Sequence, residues 1–215
     1  MNQRHRCIAL LFIASCLVSS HSTSIGGERG KVCEETFFVL EEQPIRVSPL
    51  AARLRPNRML VVTCLDRQDR LKEQQALRRA VMQQIRALST FDAIEHRTAI
   101  CEKSNPIRSG RFDERQLIGW AREYMVDSVL FCQVTEIDAY RPMRMELAFL
   151  LLNADQSVPV ASGTLRFDLA DGNTEQVFLR SLHSDREAPV TAIASPTRLI
   201  EFSAAQFVHQ LKSIW

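Results

Sequence analysis

Two hydrophobic rhythms alternate along this chain, and the points where one gives way to the other mark its elements. Residues 59–65 form a short, β-branched apolar run of the kind buried in a parallel sheet. Leu71, Leu77, Val81, Ile85 and Leu88 then fall on one face at helical spacing, with Lys72, Arg78, Arg79 and Arg86 elsewhere as a solvated surface. Residues 91–95 alternate as a second strand. A loop containing Asn105-Pro106 and Gly110 leads to a second helix over residues 113–124, where Asp113 and Gln116 have capping-box spacing and Phe112 stands as a hydrophobic staple.

The downstream half reads as three consecutive strands, 126–139, 143–153 and 158–168, joined by Tyr140-Arg141-Pro142 and Ala154-Asp155-Gln156-Ser157. Connections that short predict an antiparallel meander. Its middle strand is apolar at every position from 147 to 152, which requires cover on both faces. A helix over 174–182 comes next. The last helix opens at Ser195-Pro196, an N-cap with proline at the first helical position, and carries the stripe Ile200, Ala204, Phe207, Val208, Leu211 and Trp215. The order β-α-β-α-β-β-β-α-α describes an α/β fold with a single mixed β-sheet and packed helices in two or three layers.

Upstream of residue 51 the pattern is different. Arg4 and Arg6 precede a short apolar run, residues 7–14, that ends Ile13-Ala14-Ser15-Cys16. A basic start, an apolar middle too short to span a bilayer and small residues at its end make a secretory signal. An aliphatic residue, two small residues and cysteine resemble the lipobox of bacterial lipoproteins, in which the cysteine is lipidated and becomes the new N-terminus. Cleavage near Ser20 or Ser22, giving a soluble periplasmic protein, and retention as an uncleaved anchor are the alternatives. Residues 17–31 are rich in Ser and Gly, residues 37–40 offer an early strand, and Pro44, Pro49 and Pro56 then break the chain repeatedly. The chain therefore divides into a signal peptide (1–15), a lipid-anchored flexible tether (16–50) and an α/β domain (51–215).

Charge narrows the partners. The 27 basic and 25 acidic residues become 25 of each once residues 1–15 are removed, which leaves no electrostatic footprint for nucleic acid. The partners expected are the membrane, through Cys16, and an unidentified envelope protein. The address implied is export, with the domain anchored facing the periplasm at the outer membrane.

Of the six cysteines, Cys7 leaves with the signal and Cys16 carries the lipid. Cys33, Cys64, Cys101 and Cys132 permit three disulfide pairings, and sequence does not choose among them. Cys64 and Cys132 sit inside strand-like apolar runs, where two small buried core residues is the ordinary outcome. No Cys-x-x-Cys pair occurs and no histidine has ligand spacing to a cysteine, which argues against a zinc site. Gly26-Gly27 lacks the flanking strand and helix of a phosphate loop, and no cofactor motif appears.

The candidate chemistry is an acidic patch, Glu136, Asp138 and Glu146. Glu136 and Asp138 lie two apart on one strand, their Cα atoms roughly 6.6 Å apart, and Glu146 lies across the Pro142 turn. Paired carboxylates at such a separation serve as general acid and base in a carboxylate-dependent hydrolase. The simpler reading is a solvated strand face. His21, His96, His183 and His209 sit in no nucleophile context.

The strand Met59-Leu-Val-Val, the strand Phe91-Asp-Ala-Ile-Glu-His-Arg97 and the run Tyr124-Met-Val-Asp-Ser-Val-Leu-Phe-Cys-Gln-Val-Thr-Glu136 together resemble a family. It is the superfamily of the curli-secretion lipoprotein, the TolB amino-terminal domain and the lipoprotein activators of peptidoglycan synthases. Cys132 stands where its glycine is usual and Ala93 where its valine is usual; the resemblance spans about residues 57–211. It implies a non-enzymatic envelope protein that works by contacts in a cell-wall or secretion assembly, with no catalytic residues to carry over. Its curli-secretion branch raises the alternative of an outer-membrane export-pore subunit. The run 147–152, apolar on both faces, argues for an interaction module instead, because a membrane strand alternates apolar and polar.

Overall fold

The computed structural model describes residue 40 and residues 43–65, 70–88, 91–99, 105–184 and 195–215. Cys16, Cys33, Cys101, residues 37–39 and most of the 184–194 loop lie outside the described residues, as do residues 100–104 of the 98–112 loop.

The fold is α/β, built on a single mixed sheet of six strands in the order β1-β6-β5-β4-β2-β3. The strands are β1 (Ile45–Val47), β2 (Arg58–Thr63), β3 (Asp92–Glu95), β4 (Ser128–Asp138), β5 (Arg144–Asn153) and β6 (Val158–Asp168). β3, β2 and β4 run parallel; β4, β5, β6 and β1 run antiparallel. The helices are α1 (Leu71–Leu88), α2 (Pro106–Ser109), α3 (Glu114–Tyr124), α4 (Gly172–Ser184) and α5 (Pro196–Lys212).

Two of these elements depart from the predicted order. β1 pairs antiparallel with β6, Ile45 opposite Gly163 and Val47 opposite Ala161, and it falls inside the stretch assigned to the tether. The folded part of the chain therefore begins upstream of residue 51. Three residues between two prolines carry too little periodicity to register, and β1 exists because β6 supplies its partner groups. α2 forms where a loop is expected, although it carries its own signals. Asn105 Oδ1 accepts from Ile107 N–H at 2.9 Å, Pro106 takes the first helical position, and Gly110 closes the turn at φ 63°, a left-handed conformation that glycine adopts freely.

The strand alternation sorts side chains into two cores. One face collects Met59 and Val61 of β2, Leu130 and Val134 of β4, and Leu147, Phe149 and Leu151 of β5, beneath α1, α4 and α5. The other collects Leu60, Val62, Val129, Phe131 and Leu152 beneath Leu117 and Trp120 of α3. Leu147, Phe149 and Leu151 are covered on the first face and Leu152 on the second, while Leu150 is half-buried.

α5 is the main cover of the first core. Ile200, Ala204, Phe207, Val208 and Leu211 are all buried, as are Leu199, Phe202, Ser203 and Gln206, so the burial extends well beyond one stripe. Ser195 takes the N-cap position with an extended backbone, but its side chain makes no capping bond. Trp215, beyond the helix end, donates from Nε1 to Ala51 O at 2.7 Å and meets Phe91 edge-on at 5.7 Å. α1 buries Leu77, Val81 and Ile85 as predicted, while Leu71 at its start is exposed. Asp113 caps α3 through Oδ1, which accepts from Arg115 N–H at 2.9 Å and Gln116 N–H at 3.4 Å.

Candidate functional site

Alternation and register bring the acidic patch together on the second face of the sheet. A register shift between Val134 and Glu136 sets Glu136 directly opposite Glu146, with Asp138 opposite Arg144. β6 completes the rows, Arg166 facing Glu146 and Asp168 facing Arg144. Two of the three carboxylates are already engaged. Glu146 Oε2 lies 2.7 Å from Arg166 Nε, and its Oε1 accepts from the Thr135 hydroxyl at 2.9 Å. Asp138 Oδ1 accepts from Tyr140 N–H at 2.9 Å, and Arg144 pairs with Asp168 at 3.2 Å. Exposed pairs of this kind contribute about 0–1 kcal/mol each. The arrangement is a cross-strand charge ladder, the sheet's solvated surface, with Glu146 held by a cation in place of a reacting group.

Beside this ladder the same face opens into a groove of about 710 Å³. α2 and α3 cover β4 and the near side of β5 but stop short of β6 and β1, so the fold has three layers on one side and two on the other. Ala148, Leu150, Ser162 and Thr164 form the floor; Pro106, Ile107 and Phe112 form one wall; Pro44, Ile45 and Arg46 form the other. The wall on the α2 side is fixed by a buried amide pair, Asn105 Nδ2 donating to Gln133 Oε1 at 2.7 Å. Sequence reading passes over these residues because the groove draws on three segments far apart in the chain. The available signals are the polar positions Ser162 and Thr164, two apart on one face of β6, and the Asn105-Pro106 start.

The edge of the groove is finished by one side chain. β1 covers only Ala161–Gly163 of β6, and beyond it Gln43 takes the place of a neighbouring strand. Its Oε1 accepts from Arg166 N–H at 2.7 Å, and its Nε2 donates to Arg166 O at 2.6 Å. Gln210 of α5 in turn donates to the Gln43 carbonyl.

Cys64 and Cys132 are free and buried, as the core reading expects. They lie on neighbouring parallel strands, and Cys64 N–H donates to Cys132 O at 3.0 Å. Thr63 is the residue opposite Cys132, so alternation sends the two thiols to opposite faces. Burial pushes the Cys132 thiol up to about 12, partly opposed by the Arg78 guanidinium. Burial, with Cys132 adding to it, raises Cys64 further still. Such thiols are inert as nucleophiles at neutral pH. His96 stacks near Trp120 and Tyr124, with centroids at 4.8 and 5.7 Å, and its Nδ1 lies 2.6 Å from Thr98 O.

No protein-family model matches the sequence, and no curated protein does. Among solved structures, the chain is similar to the PelC dodecamer of Paraburkholderia phytofirmans at 15% identity and a TM-score of 0.38, covering 62% of this chain and 91% of that one. It is similar to lipoprotein GNA1162 of Neisseria meningitidis at 12% identity and a TM-score of 0.39, over 62% and 100%. It is also similar to the hypothetical protein CT253 of Chlamydia trachomatis at 9% identity and a TM-score of 0.43, over 72% and 96%. All three are loose matches.

Proposed function

We propose that this chain is an exported envelope lipoprotein, tethered through Cys16 and facing the periplasm, whose α/β domain binds another envelope protein and catalyses no reaction. The observation that carries the reading is the leader: Arg4 and Arg6, a short apolar run and Ile13-Ala14-Ser15-Cys16. The organisation of the acidic face supports it, since Glu146 is tied into Arg166 and Thr135 and Asp138 accepts from Tyr140 N–H. An export-pore subunit is the weaker reading, because Leu130, Val134, Leu147, Phe149 and Leu151 are committed to one core and Val129, Phe131 and Leu152 to the other.

The test is a pair of cultures fed a palmitate analogue, one with the native chain and one with Cys16→Ala. The native protein is expected to take the label and fractionate with membranes, and the variant to be unlabelled and soluble. An unlabelled, soluble native protein refutes the lipid anchor and leaves the soluble periplasmic alternative. Crosslinking in intact cells tests the second half, and recovery of the domain uncrosslinked to any envelope protein counts against it.

A further inference from the structure

A second cavity, of about 290 Å³, lies far from the groove, at the carboxyl ends of β2 and β3 and against the first turns of α1. Its position is set by topology. β2 is the middle of the three parallel strands; the chain leaves it through α1 to β3 on one side and returns through α3 to β4 on the other. Such a reversal opens a crevice at the carboxyl ends of the strands, where open α/β sheets bind their ligands. Among the described residues its walls include Thr63, Leu71, Gln74, Arg78 and Arg97.

Two observations mark the cavity as a site for a ligand rather than a packing gap. Thr63 is 2% exposed and lines the cavity, yet its hydroxyl has no hydrogen-bond partner among the described residues. A buried hydroxyl left unpaired destabilises a fold, so one on a cavity wall calls for an incoming group. The second observation is charge. Arg78 Nε is 2.8 Å from Glu95 Oε1 but makes no directed hydrogen bond, and its Nη1 donates weakly to His96 O at 3.4 Å. Glu95 therefore balances the charge without using the Nε–H. Arg97, exposed, brings a second guanidinium to the same cavity. The N-terminal N–H groups of an 18-residue helix add partial positive charge. Gln74 is a fixed wall, since its amide bonds both Val134 N–H and Val134 O. Glu73, the acid of the first turn, is not among the residues lining the cavity.

We propose that this cavity binds a small oxyanion, the phosphate or carboxylate group of a soluble ligand, with Thr63 donating to it and Arg78 and Arg97 supplying charge. The experiment is thermal unfolding of the full chain in inorganic phosphate, acetate and chloride at matched ionic strength. One of the two oxyanions is expected to raise the melting temperature saturably where chloride does not, and which one does so identifies the group. Thr63→Val keeps the side chain's shape, removes the unpaired hydroxyl and is expected to weaken binding about tenfold or more without loss of stability. Arg97→Gln, at an exposed position, is expected to do the same and carries the test should Thr63→Val misfold. Arg46→Gln, in the distant groove, leaves the response intact. A native chain that responds saturably to neither oxyanion overturns the proposal, as does a response that Arg97→Gln leaves within about twofold of its native strength.

Discussion

Replacing Phe207 by alanine separates two roles for the C-terminal helix, closure of the core and presentation of a docking face. Phe207 has no exposed surface, and its ring centroid lies 4.8 Å from that of Phe149 on β5, so the truncation empties the space between α5 and the sheet. Core Phe-to-Ala changes cost about 3–5 kcal/mol, lost transfer energy plus the residual cavity. Of that, about 0.5–1.5 kcal/mol belongs to the ring pair beyond its buried area. At about 2–4 °C per kcal/mol for a domain of this size, the melting temperature should fall by roughly 6–20 °C. A total stability of about 5–15 kcal/mol leaves the variant folded but weakened, so urea unfolding at low temperature is the safer assay. The midpoint should drop with an unchanged slope. A cycle with Phe149→Ala should return a coupling of about 0.5–1.5 kcal/mol. A cost below about 1 kcal/mol, well under the range for core phenylalanines, would refute the packing argument and make the stripe a binding surface.

The buried thiols give a pH prediction. The unfolded chain ionises cysteine near its ordinary 9.0, whereas folded Cys132 holds its proton to about 12. Between those values the unfolded state binds fewer protons, so stability should fall as pH rises through that window and hold steady below it. Urea midpoints taken across the window, compared with Cys132→Ala, check the sign, and a midpoint that rises would refute it. Peptide-resolved alkylation of the native chain at pH 8 should leave Cys64 and Cys132 unmodified until urea is added, and labelling of either in the native state would count against their burial. Gln43→Ala should barely move the urea midpoint but unmask the outer edge of β6. Light scattering is expected to show concentration-dependent association in that variant, and a strictly monodisperse variant would mean the amide is dispensable.

Much of the fold is legible in the sequence because long periodic segments speak for themselves. The meander of β4 to β6, the stripes of α1 and α5, and the burial of Cys64 and Cys132 all arise from spacing within one segment. The features that escape such a reading depend on partners remote in sequence. Three residues of β1 gain strand geometry only from β6, and Gln43 acts as an edge only because Arg166, 123 positions away, lies beside it. The acidic patch shows the division clearly. Alternation places Glu136 and Asp138 on one face, but the meaning of that face rests on Arg144 and Arg166, whose placement requires the registers of β5 against β4 and of β6 against β5. The unpaired hydroxyl of Thr63 is equally silent, since the sequence shows a β-branched residue in a strand and says nothing of an empty space beside it.

The attachments at Leu40, Gln43 and β1 have a mechanical consequence. Leu40 N–H bonds Gln206 Oε1 at 3.0 Å, Gln43 grips Arg166, and only then does β1 join β6. Tension arriving from upstream would meet these attachments in series, and they would yield one after another. Releasing that stretch would free roughly 27 Å of chain at about 3.4 Å per residue. A domain held by its N-terminal side to one surface and by a partner to another could thus absorb a change in their separation by unpeeling its short edge strand.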